Sequence, residues 1–204
     1  MTRRHEADPA ADFWWHDHPE QRFWMEIAGA KAPGIDLRAP IATPDEGRKW
    51  HWDLVRHVRP GDIVVHWFTT VAHAKGVVGW SRAASTAVVE DHIWVPRTRP
   101  DIDDNTATPR PHWVVPLEGY TQLARPITRS EVESIHADVV GLEEELAEIY
   151  PRFKYYPFQD YRPNEIRANQ AYLTKMPVEL LRLLNRLGRL GFEIDYEANR
   201  PSRR

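Results

Sequence analysis

The apolar positions change rhythm once along this chain. From Phe23 to Leu123 they come in short runs: Phe23–Ile27 (FWMEI), Ile63–Phe68 (IVVHWF), Gly76–Arg82 (GVVGWSR), His92–Val95, His112–Leu117 and Tyr120–Leu123. Short β-branched and aromatic runs bounded by Gly and Pro predict strands. About seven residues separate Ile63–Phe68 from Gly76–Arg82, which predicts a hairpin. Asp53–Val58 reads as a short helix stopped by Pro60-Gly61. Beyond Ser130 the spacing becomes helical. Val132, Ile135, Val139, Leu142, Leu146 and Ile149 recur behind a Ser130/Glu133 capping-box pattern. Pro177 opens a second helix, Val178–Leu190, which Gly191 ends. Strands followed by helices predict an α+β fold, a small and mostly antiparallel sheet or barrel with helices at its flank.

The polar stretches set the boundaries. Residues 1–11 read as a loose arm and 197–204 as a tail, leaving 12–196 as a single domain. Residues 29–48 are rich in Gly and Pro and predict a long loop, a feature usually functional in compact domains. Residues 96–111 are too polar and proline-rich to pack. A length of 204 residues suits one such domain. No apolar run approaches the ~18 residues of a membrane span, and no apolar stretch follows the N-terminal arginines as in a secretory signal. The absence of cysteine excludes disulfides and thiolate zinc sites, and fits a cytoplasmic protein.

A formal charge of −3 is unusual for a nucleic-acid binder, but the distribution changes the picture. Residues 48–82 hold six Lys/Arg against Asp53 and Asp62, and residues 151–204 hold eleven against six acids. Residues 131–150 hold seven acids and no Lys/Arg. A chain acidic overall can still present a basic face; solvated charge on unrelated faces is the plainer alternative.

Much chemistry is excluded. There is no P-loop, no dinucleotide-binding glycine motif after a strand, no G-x-S-x-G elbow and no H-E-x-x-H. His16-x-His18, with Glu20 or Asp12, lacks a recognisable third-ligand spacing, so no metal is expected there. Asp101, Asp103 and Asp104 sit in the polar loop without the lysine-bearing strand that a magnesium nuclease needs. The acids Glu143–Glu145 read as a solvated helix face. No cofactor and no catalytic motif emerge.

What remains is aromatic. Four of the nine tryptophans lie between Arg48 and Ser81, interleaved with His, Arg and Lys. Base–aromatic stacking is worth ~1–3 kcal/mol per base, so such a stretch suits a flat ligand such as a nucleobase. Core tryptophans of a small barrel are the competing explanation for about half of them.

The order FWMEI, a Gly/Pro loop, K-W-H-W at Lys49–Trp52, P-G-D-I-V-V-H-W at Pro60–Trp67, G-V-V-G-W-S at Gly76–Ser81 and W-V-V-P-L at Trp113–Leu117 resembles the EVE-type domains of the PUA-like superfamily. These are relatives of YTH and ASCH domains, here most similar to versions in bacterial modification-dependent (type IV) restriction systems. Tyr156–Gln159 and Gln170–Lys175 share that look, so the resemblance spans about residues 13–185. It implies a PUA-like β-barrel with helices at its edge, and a pocket for a modified base, usually methylated or hydroxymethylated cytosine, flipped from DNA. By position Trp50 matches the cage tryptophan, while Trp24, Trp52, Trp67, Trp80 and Ser81 lie on strands expected to wall the pocket, and Gln170 and Tyr172 close it.

Within that picture Ser81, His51, His66 and Gln170 are the candidates for contacts to a base edge. Arg48, Lys49, Arg82 and Lys175 are the candidates for phosphates. The chain carries no nuclease or NTPase module, so cleavage is expected from a partner. Three alternatives stay open: an RNA-binding PUA-like protein reading a modified or unpaired base, a metal-dependent nuclease, and a small-molecule or protein-binding barrel.

Overall fold

The computed structural model describes residues 13–28, 33–42, 47, 49–69, 75–93, 108–150, 152–187 and 190–191. The expected arm, tail and most of the polar loop at 96–111 lie outside them, as does Arg48.

The chain forms β1 (Phe23–Ala28), β2 (Asp36–Pro40), a single turn α1 (Trp50–Asp53) running into a 3-10 turn at Leu54–His57, β3 (Ile63–Phe68), β4 (Gly76–Ala83), β5 (Val88–His92) and β6 (Arg110–Thr128). It continues through α2 (Arg129–Glu133), α3 (His136–Ile149), β7 (Phe158–Arg162), β8 (Glu165–Ala168), β9 (Leu173–Met176) and α4 (Val178–Asn185). Seven strands form one mixed sheet in the order β2-β6-β4-β3-β1-β9, with β5 also paired to β6. β1 and β3 run parallel; the other pairs are antiparallel. The nineteen-residue β6 binds β2 and β5 with its first half and β4 with its second. Register breaks on β4 at Val77/Gly79 and Trp80/Arg82 bend the ladder, so the sheet curls. The α+β class and the curled, barrel-like sheet implied by the resemblance are therefore both present.

Residues on β1 and β3 alternate between two apolar clusters. Phe23, Met25, Ile63, Val65 and Trp67 pack with α3, α4 and the β7–β8 hairpin; Trp24 and Val64 pack on the other face with Trp14, Trp15, Trp52 and Leu173. Strands buried on both faces read as continuous apolar runs, which is why IVVHWF shows no alternation.

Several boundaries differ from the sequence expectations. β2 lies inside the expected loop at 29–48, because pairing with β6 supplies partners that local Gly/Pro composition does not reveal. His112–Leu117 and Tyr120–Leu123 belong to one strand, and β5 begins four residues before His92. The helix cap is Thr128/Glu131 rather than Ser130/Glu133. The helix also pauses after Glu133, where the Ser134 hydroxyl donates to the Glu131 carbonyl at 2.6 Å. Ile149, expected on the apolar stripe, is exposed.

Candidate functional site

The phase of β1, β3 and β4 puts three polar side chains in a row on the inner face. Glu26 pairs in register with His66, and Ser81 follows on β4. His66 Nδ1 lies 2.7 Å from Glu26 Oε2, and its Nε2 lies 2.7 Å from Ser81 Oγ. All three residues are buried. Tyr172 extends the row: its hydroxyl donates to Glu26 Oε1 at 2.9 Å and accepts from the Arg38 backbone N–H at 2.8 Å. Burial first, and then the Glu26 charge, push the Tyr172 phenol well above its ordinary value, so it remains protonated and donating. A buried polar group costs free energy unless bonded, and every link of this row is bonded.

The row reaches the surface through Tyr172, whose backbone N–H donates to His51 Nδ1 at 3.2 Å. The neighbouring Trp50 is 42% exposed, and its ring stacks on Tyr155 with centroids 4.8 Å apart and planes 30° from parallel. Tyr155 adopts φ +69°, a left-handed conformation uncommon for a bulky residue and often found at functional positions. The Lys154 ammonium sits 4.9 Å from the Tyr155 ring centre and 5.6 Å from that of Phe13. Lys49 Nζ lies 5.1 Å from the Trp52 ring centre. An exposed tryptophan backed by a second ring, with cations beside it, can stack a base and attract its phosphates.

The remaining candidates scatter. Trp24 is in the core, donating to Asp62 at 2.8 Å and standing edge-on to Trp15. Trp52 is buried beneath Lys49, and Trp67 packs against Phe158 on the opposite face of the sheet. Trp80 also packs toward that opposite face and donates to the Leu190 carbonyl at 2.9 Å. Gln170 is exposed, its amide facing the Arg167 guanidinium. Arg82 is exposed and donates to the Gly61 carbonyl at 3.1 Å.

Lys175, expected at a phosphate, is instead buried: its ammonium lies 4.1 Å from the Trp24 ring centre and donates to the Gln21 carbonyl at 2.6 Å. Its alternation on β9 turns it inward, and burial lowers its pKa to about 7. Among the described residues no group of three His, Asp or Glu side chains is placed to hold a metal.

Sequence reasoning missed Glu26, Tyr155, Arg38 and Tyr120, whose ring stands edge-on to His66. Glu26 carried a signal, a lone carboxylate in an apolar strand. Tyr155 and Tyr120 carried none, since only chain reversal and the β6 bulge bring them here.

No family model matches the chain, and no curated protein does. Among solved structures it is similar to a protein from Pseudomonas putida at 11% identity and TM-score 0.46, covering 81% of this chain and 98% of that one. It is also similar to human THYN1, crystallised in complex with 5-methylcytosine-containing DNA, at 10% identity and TM-score 0.44, covering 84% and 99%. A third is the N-terminal domain of Staphylothermus marinus McrB, at 14% identity and TM-score 0.36, covering 59% and 85%. Likenesses this distant assign no activity to the chain.

Proposed function

We propose that this chain is a modified-DNA reader, binding duplex DNA that contains 5-methylcytosine or 5-hydroxymethylcytosine with the base flipped from the stack. The observation that carries the reading is the exposed Trp50, stacked on Tyr155 and joined through His51 and Tyr172 to the buried Glu26–His66–Ser81 row. Extruding a base costs a few kcal/mol, offset by aromatic stacking and hydrogen bonds to its edge. The aromatic pair supplies the first and the row the second. Lys49, Lys154 and Arg82 attract the backbone.

On this reading the chain is the recognition component of a modification-dependent restriction system, with a separate nuclease or NTPase protein as partner and cleavage supplied from outside this chain. Selectivity is modest. Burial of one methyl contributes ~0.8 kcal/mol, roughly four-fold in affinity, so about ten-fold requires extra packing.

The test is a titration of one duplex in unmodified, 5-methylcytosine and 5-hydroxymethylcytosine forms, at low and moderate salt. Preference for a modified form is expected. Equal affinity for all three sinks the proposal, tighter binding of matching RNA oligonucleotides transfers it to RNA, and cleavage with added Mg²⁺ or Mn²⁺ replaces it with a nuclease.

A further inference from the structure

The hydrogen bonds of the buried row have only one self-consistent direction when His66 is neutral. The Arg38 backbone N–H can only donate, so the Tyr172 oxygen accepts there and its own proton goes to Glu26 Oε1. The Glu26 carboxylate accepts on both oxygens, so His66 Nδ1 carries the imidazole proton. Nε2 is then bare and accepts from the Ser81 hydroxyl. In that arrangement Ser81 has spent its only proton and presents lone pairs alone; among the described residues its Oγ has no other hydrogen-bond partner.

Tyr120 flanks the row at His66. Its ring stands edge-on to His66 with centroids 5.7 Å apart. It lies so close to β4 that a Cβ on Gly79 would sit 2.7 Å from it, and one on Gly34 2.5 Å from its own Cβ. Two glycines thus leave space for one flat ring directly beside the polar row. Tyr120 is only half-buried and follows Gly119, whose φ of +61° kinks the strand.

We infer that Ser81 is a fixed acceptor that reads the exocyclic amino group of the extruded base, so the site takes 4-aminopyrimidines and rejects their 4-oxo counterparts. The inference rests on the reader function proposed above and adds the residue that sets its selectivity. Thymine is the decisive comparison. It has the same ring and the same 5-methyl group as 5-methylcytosine, but presents an oxo acceptor where cytosine presents an N–H donor. Two acceptors facing each other in a buried site leave both unpaired, while a matched donor completes the row. Base entry replaces the Tyr120 ring in its slot.

The experiment measures binding to duplexes carrying cytosine, 5-methylcytosine or thymine opposite an abasic site, so that no base is paired. Wild-type protein is expected to favour 5-methylcytosine over thymine by about ten-fold or more. Ser81→Ala should bring that ratio close to one while keeping the preference for 5-methylcytosine over cytosine. Thymine bound as tightly as 5-methylcytosine by wild-type protein overturns the Ser81 assignment alone. An unchanged ratio in Ser81→Ala overturns it too, because Ser81 then makes no contact with the base. Loss of the 5-methylcytosine-over-cytosine preference in wild type instead removes the reader function. A purely structural role for Ser81 would alter stability without altering the ratio, and a thermal melt of the variant reads that separately.

Discussion

Trp50 and Tyr155 stack with ring centroids 4.8 Å apart, although 105 positions separate them in sequence. Tyr155 in turn stands edge-on to Phe13 and Trp15, so the exposed Trp50 is the outer end of an aromatic ladder rooted in the core. A large ring held in place on one face and open on the other is pre-organised for stacking, which lowers the ordering cost of binding.

Trp50→Ala should therefore abolish preference for a modified base while leaving salt-dependent binding largely intact. Lost base stacking of ~1–3 kcal/mol would weaken the preferred duplex by about ten-fold or more. Fluorescence anisotropy on modified and unmodified duplexes checks this; retained preference means another ring forms the cage.

Arg82 and Lys175, both candidates for phosphates by sequence, differ in exposure: Arg82 lies on the surface and Lys175 is buried. Arg82→Ala should lower the slope of log affinity against log salt by about one, the signature of one lost phosphate contact. Lys175→Met should leave that slope unchanged, because its ammonium faces Gln21 and Trp24. Equal slopes for wild type and Arg82→Ala would remove Arg82 from the interface.

Lys175 also predicts a pH effect on stability. Burial lowers its pKa from 10.5 to about 7. Between these values the unfolded chain binds the extra proton, so this group makes stability rise as pH increases from about 7 toward 10. Below about 7 it is protonated in both states and adds no slope. Urea denaturation across that range should show a smaller rise for Lys175→Met than for wild type.

Gly79→Ala should destabilise the fold by about 1–3 kcal/mol. Its Cβ would lie 2.6 Å from the Thr121 carbonyl oxygen and 2.7 Å from the Tyr120 ring. The carbonyl belongs to the ladder and cannot withdraw, so the strain falls on the β4–β6 pairing and on the Tyr120 slot. Thermal melting and loss of binding should appear together.

The chain's own sequence carries the strands β1, β3 and β4, the two helical regions and the α+β class, because apolar runs and helical spacing are local signals. The aromatic–basic cluster holding Trp50 and Lys49 was legible, Trp50 was singled out within it only by the resemblance, and the other three tryptophans of that stretch were not separable. Tertiary structure alone decided them. The parallel pairing of β1 with β3 sends Trp67 to the helical face and His66 toward Glu26, while the antiparallel pairing of β3 with β4 sets Trp80 opposite Val65 on the helical face and Ser81 opposite Val64 on the inner one. A strand's two faces differ by one residue of phase, and no local pattern records that phase when both faces are buried. The Glu26–His66–Ser81 row and the Trp50–Tyr155 stack both join side chains distant in the chain, and only the folded sheet brings them together.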